Sequence, residues 1–182
     1  MEHIYTETQF GENWFTYPNL YRQIVEQAGD NQHFVEVGSW KGKSSAFLAV
    51  EIANSGKSIK FDCVDTWEGS PEHVDFDNSA LYDTFISNMK PLEKYYNPIK
   101  ATSVEAAKLY EDESLDFVFI DACHQYECVV EDIRAWYPKV KKNGIISGHD
   151  YNDSWPGVVR AVNENIKGSI YTGELCWMHR KE

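Results

Sequence analysis

The sequence predicts a doubly wound α/β sandwich, with a mostly parallel central sheet, helices on both faces and a late antiparallel strand. Three observations predict it. Short runs rich in Val, Ile and Phe recur along the chain and read as buried strands. Helical patterns separate them, and strands alternating with helices make a parallel sheet. Small or acidic residues follow several runs, where an open α/β sheet binds its ligand.

In chain order, Leu20, Tyr21, Ile24, Val25 and Ala28 make an amphipathic helix that Pro18 opens and Gly29 closes. The strands are "HFVEV" (33–37), "IKFDCV" (59–64), "NPIKA" (97–101), "LDFVFI" (115–120) and "GIIS" (144–147). Residues 68–85 are polar and acidic before turning helical, and read equally as a solvated loop or a substrate lid. Tyr126, Val129, Val130, Ile133, Trp136 and Val140 share one helical face, which "KKNG" ends with basic residues and a glycine. "PGVVRAVNENI" (156–166) reads as a helix, and "SIY" and "ELCWMHR" as late strands. The 182 residues fit a single domain, with 1–30 as an N-terminal helical or lid segment. Trp14, Phe15 and Tyr17 in that segment could cover a substrate, but read rather as core or interface.

The net charge of −12, from 17 basic and 29 acidic residues, argues against nucleic-acid and anionic-membrane partners. No run is long enough to span a membrane, and "MEHIYTETQFGENW" is no signal peptide. A cytoplasmic protein is expected. Cys63, Cys123, Cys128 and Cys176 show no C-x-x-C spacing and read as free thiols in a reducing compartment.

The turn after the first strand, "VEVGSWKGKSS", carries the motif E-x-G-x-x-x-G-x-S in Glu36, Gly38, Gly42 and Ser44. Gly38 permits a sharp turn, and Gly42 permits close approach of a ligand or of the next helix. Ser44 or Ser45 could cap that helix or bind a carboxylate. Neither G-x-G-x-x-G nor G-x-x-x-x-G-K-S/T is present, so a nicotinamide cofactor and a phosphate loop are both disfavoured. Asp65 ends the second strand, placed to accept ribose hydroxyls. Ser103 follows the third, at an adenine edge or as a helix cap.

These segments, with "CVDTWEGS" and "LDFVFIDACHQYECVVEDIRAWYPKVKKNGIISGHDY", resemble the class I, Rossmann-like S-adenosylmethionine-dependent methyltransferases. Within them the chain is similar to the small catechol-type and macrocin-type O-methyltransferases, from about residue 14 onward. The resemblance implies that Glu36 and Gly38 line the methionine end of the cofactor, beside Gly42 and Ser44. It implies that Asp65 binds the ribose, Thr66 and Trp67 border the adenine, and Ser103 sits at its edge. Asp121 falls at the centre of the active site, and is a magnesium ligand in metal-dependent relatives. Asp150 fills the second acidic position.

Tyr151 stands where catechol-type relatives carry Asn, and His149 where some sugar-type relatives carry an acid. A mixed set of Asp121, His149 and Asp150 suits Mn²⁺ better than Mg²⁺. Alternatively, the two acids hydrogen-bond cofactor and backbone with no metal. His124 stands where catechol-type relatives carry a basic lysine, and is the candidate general base for a hydroxyl acceptor. His3, His33, His73 and His179 read as incidental. The expected activity is methylation of a hydroxyl on a small molecule such as a sugar or phenol, by an enzyme whose default assembly is a homodimer. The alternative is a non-catalytic S-adenosylmethionine-binding or partner-binding domain on the same fold.

Overall fold

The computed structural model describes residues 1–70 and 78–182. Seven strands form one sheet: β1 (Gln32–Val37), β2 (Ile59–Asp65), β3 (Asn97–Lys100), β4 (Leu115–Ile120), β5 (Val140–Gly148), β6 (Tyr171–Gly173) and β7 (Cys176–Arg180). Their order is β3-β2-β1-β4-β5-β7-β6. The first five are parallel, β7 runs antiparallel to β5, and β6 is antiparallel to β7. The helices are α1 (Pro18–Gln27), α2 (Lys43–Ser55), α3 (Leu81–Met89), α4 (Ser103–Ala107), α5 (Tyr126–Trp136) and α6 (Pro156–Asn165). The order reverses between β1 and β4, which places a crevice at their carboxyl ends.

The period of two along a strand sorts the core into two layers. Phe34, Phe117 and Phe119 point to the side of α1, α2 and α3, where Tyr21, Phe47, Trp67 and Phe85 make an aromatic-rich layer. Val35, Val37, Val118 and Ile120 point the other way, onto Val130, Ile133, Trp136 and Val162. Glu36 shares the parity of Phe34, so it is driven into the aromatic layer.

Pro18 begins α1, where its missing N–H is not needed. The cap comes from far along the chain: the Glu174 carboxylate accepts from Leu20 N (3.1 Å) and Asn19 Nδ2 (2.6 Å). Glu174 and Leu175 are the β6–β7 turn, both left-handed at φ 53° and 62°.

Four sequence expectations shift. Ala28, in an extended conformation, closes α1, and Gly29 plays no part. Val140 and "KKNG" belong to β5, because Pro138 follows the end of α5 and Val140 pairs with Leu115. A register shift then brings Ile145 opposite Phe117, with Asn143 left-handed at φ 65°. "SIY" starts late, at Tyr171, and the first two residues of "ELCWMHR" are the hairpin turn. Much of the 68–85 segment, with His73, lies outside the described residues, and α3 begins at Leu81.

Candidate active site

The turn after β1 is built by close packing. Gly38 has φ +94°, and a Cβ there would lie 1.9 Å from the Asp121 carbonyl oxygen. Its N–H donates to Val64 O, while Asp121 N donates to Val37 O, each at 2.8 Å. The glycine therefore lets the turns after β1 and β4 touch. Gly42 is left-handed (φ +90°), and a Cβ there would meet Met89 Cγ at 2.9 Å, so this glycine accommodates α3 rather than a ligand.

Glu36, expected at the cofactor's methionine end, is fully buried and is absent from the described lining of the two cavities below. It holds the turn from below. Tyr21 Oη donates to it at 2.8 Å, Ser39 Oγ at 3.0 Å, and Ser45 Oγ also donates. Burial pushes its pKa up, against the pull of those hydroxyls. Neither Ser44 nor Ser45 caps α2, whose N-cap is Gly42.

Two cavities open along the crevice and share Gly38, Trp40, Asp121 and Ala122. The first, about 440 Å³, is lined by Gly38, Asp65, Thr66, Ser103, Asp121 and Asp132 among others. Asp65 also braces both neighbouring turns, accepting from Trp40 N (2.8 Å) and Trp67 N (2.7 Å). Trp67 is not in this lining: it is 2 % exposed and packs on Tyr82 and Phe85, its indole donating to Trp40 O. Thr102, not Ser103, caps α4. The described lining carries four carboxylates (Asp65, Asp121, Glu131, Asp132) and no lysine, arginine or histidine. That wall suits a nucleoside bearing a cationic sulfonium and opposes a pyrophosphate.

The second cavity, about 480 Å³, is lined by Trp14, Trp40, Trp155, Ser44, Asp121, His124, His149 and Asp150 among others. Phe15 and Tyr17 are core, as expected, while Trp14 is 46 % exposed at this cavity. At its floor, His124 Nε2 lies 2.8 Å from Asp150 Oδ2, and the His124 ring stacks on Trp155 at 4.2 Å. Tyr17 Oη donates to Asp121 Oδ2 at 2.8 Å. His149 Nδ1 faces Asp150 Oδ2 (3.3 Å) and Asp121 Oδ1 (3.6 Å), and its Nε2 hydrogen-bonds Thr16 Oγ1 at 2.9 Å. Burial would lower the His149 pKa, but the two carboxylates outweigh it and carry it up to about 10. For Asp150, burial opposes the charge, but His124 and His149 hold the carboxyl well below its ordinary range.

One ligand atom each from Asp121, His124 and Asp150 can lie within 4.8 Å of one another, an O, N, O donor set that fits a divalent ion. His149, the third ligand expected from the sequence, faces the same two carboxylates, and His124 offers an alternative nitrogen.

Sequence reasoning missed Thr16 and Tyr17 as partners of the cluster, and the face of α5 made by Cys128, Glu131 and Asp132. A signal for Asp132 existed: it interrupts the apolar stripe of Val129, Ile133 and Trp136. None of the four cysteines is in a disulfide; Cys63 and Cys176 are buried, and Cys123 and Cys128 line the first cavity.

The strand order, the acid ending β2 and the acidic described lining of the first cavity are those of a class I S-adenosylmethionine-dependent methyltransferase. Residues 35–151 match the methyltransferase domain family, and the chain belongs to that family. An uncharacterized protein of Acanthamoeba polyphaga mimivirus is 26 % identical over 174 residues, covering 92 % of this chain and 74 % of that protein. The O-methyltransferase NovP shares the fold with a TM-score of 0.71 at 19 % identity, over 90 % of this chain and 78 % of its own. A Thermotoga maritima S-adenosylmethionine-dependent O-methyltransferase does so with a TM-score of 0.61 at 14 % identity, over 89 % of this chain and 56 % of its own. No helix among the described residues is long and apolar enough to cross a membrane.

Proposed function

We propose that this methyltransferase transfers the methyl group to a hydroxyl of a small molecule, assisted by a divalent ion. The observation that carries the reading is the convergence of Asp121, which lines both cavities, with His124 and Asp150 of the second. The adenosine would occupy the first cavity, with Asp65 accepting from the ribose, and the sulfonium would pass Gly38 toward Asp121. The cofactor is already activated, so the chain's main task is alignment of the acceptor with the methyl group. Trp14, Trp40 and Trp155 offer flat faces to a sugar or phenol ring.

Asp121, His124 and Asp150 would hold the ion, and the mixed donor set favours Mn²⁺ or Fe²⁺ over Mg²⁺. Such an ion would lower the pKa of the acceptor hydroxyl. Tyr17 and His149 fix the Asp121 carboxylate, while Trp155 fixes the His124 ring. A second reading rests on the 2.8 Å His124–Asp150 contact: His124 is the general base, and Asp150 balances its charge. One nitrogen cannot serve both roles.

Methyl transfer from labelled S-adenosylmethionine to a panel of sugars, phenols and amines tests both readings, with EDTA, Mn²⁺ or Mg²⁺. Transfer to hydroxyls that EDTA abolishes and Mn²⁺ restores is the expected result. Undiminished transfer in EDTA that is lost in His124→Ala would favour the base reading. Transfer to amines alone would remove O-methylation.

A further inference from the structure

We propose that Asp132 selects the base of the cofactor, its carboxylate accepting a hydrogen bond from the exocyclic amine of adenine. The inference rests on the reading that the first cavity holds the adenosine. Asp132 is 5 % exposed yet lines that cavity. It shares a face of α5 with Cys128 and Glu131, and no cation pairs with it among the described residues.

Ser103, the residue the sequence places at the adenine edge, is committed within the wall. Its Oγ accepts from Trp136 Nε1 at 2.9 Å. The described lining contains no lysine, arginine, histidine, asparagine or glutamine. Neighbouring side chains on other elements include Asp65 and Asp121, also carboxylates, and the hydroxyls of Thr66, Ser70 and Thr102. An amino group at the base edge meets this wall favourably. A carbonyl there would set oxygen against carboxylate. Burial without a cation also pushes the Asp132 carboxyl up to about 6, so an incoming donor relieves a group held charged at neutral pH.

The test compares S-adenosylhomocysteine with its inosine analogue, which carries oxygen in place of the amine. Calorimetry at pH 7.5 on the full chain gives the ratio of dissociation constants for wild type, Asp132→Asn and Asp132→Ala. A hydrogen bond to a charged acceptor predicts a wild-type preference for the adenosyl compound of about ten- to a hundredfold. The preference should fall at least about tenfold in both variants. In the asparagine variant the amide can donate to the carbonyl, so the inosyl compound should gain affinity. Far-ultraviolet circular dichroism identifies which variants are folded, and either one suffices. A folded variant whose ratio stays within about twofold of wild type overturns the proposal. Wild type that binds neither compound overturns the cavity assignment instead.

Discussion

Replacing Gly38 with alanine tests how the turns after β1 and β4 are joined. The new Cβ would lie 1.9 Å from the Asp121 carbonyl oxygen and 2.5 Å from its carbon. Ordinary contact is about 3.5 Å, so the two turns must part by roughly 1.5 Å. That movement breaks or stretches the 2.8 Å bonds from Gly38 N to Val64 O and from Asp121 N to Val37 O. Each is worth about 1 kcal/mol. The left-handed φ of +94° adds about 1–2 kcal/mol for any residue with a Cβ. The expected loss is therefore about 3–4 kcal/mol, and Tm should fall by roughly 6–16 °C. Gly29→Ala is the control: a Cβ there has nothing within 4 Å. Urea titration and thermal melts should separate the two variants, and methyl transfer should vanish in Gly38→Ala because Asp121 moves. A Gly38→Ala protein melting within about 2 °C of wild type would show that this contact does not hold the turns together.

Three further outcomes follow from burial and stacking. Asp132 has a folded pKa near 6 against an ordinary 3.8, so its ionisation opposes folding by about 3 kcal/mol. That penalty is absent below about pH 4, grows through the window up to 6 and is complete above it. Asp132→Asn should thus stabilise the cofactor-free protein at pH 7.5 but not at pH 4; equal melts at pH 7.5 would contradict this. Glu36→Leu strands three buried hydroxyls, each costing about 1–3 kcal/mol, whereas Tyr21→Phe removes only one bond. Equal denaturation midpoints for those two variants would refute the role given to Glu36. Trp155→Ala removes a stack on His124 worth about 1 kcal/mol, so transfer should slow while S-adenosylhomocysteine affinity holds. Loss of affinity with unchanged transfer would place Trp155 in the wrong cavity.

The strands were legible because parallel interior strands are apolar on both faces, as β1 and β4 show. Asp65, Asp121, His124 and Asp150 were legible as residues following strands. Other features depend on contacts between distant segments, which periodicity does not encode. The end of α5 was misread because Val140 fits a helical face, yet its partner is Leu115. Both imidazoles face the carboxylates, and their orientations depend on Trp155, which stacks on His124, and on Thr16, which binds the far nitrogen of His149. Gly38 was rightly seen as a turn residue, but the atom forcing it is a backbone oxygen 83 positions away rather than a ligand. Glu36 was placed beside the cofactor because of its position in the motif. The strand's parity turns its side chain toward the hydroxyls of Tyr21, Ser39 and Ser45, which the motif alone does not show.

The cap on α1 bears on the order in which a nascent chain completes itself. Glu174 and its partner Asn19 are separated by 155 positions. Helix α1 can settle on α2 as soon as both have been synthesised. Its first turn, however, keeps exposed amides until the β6–β7 hairpin forms. Thr16 and Tyr17, directly before that turn, touch His149 and Asp121. The entry to α1 is therefore completed only once the β6–β7 hairpin exists, and a chain stalled before Glu174 would carry the first cavity beside a second whose Thr16–Tyr17 wall leads into an uncapped helix.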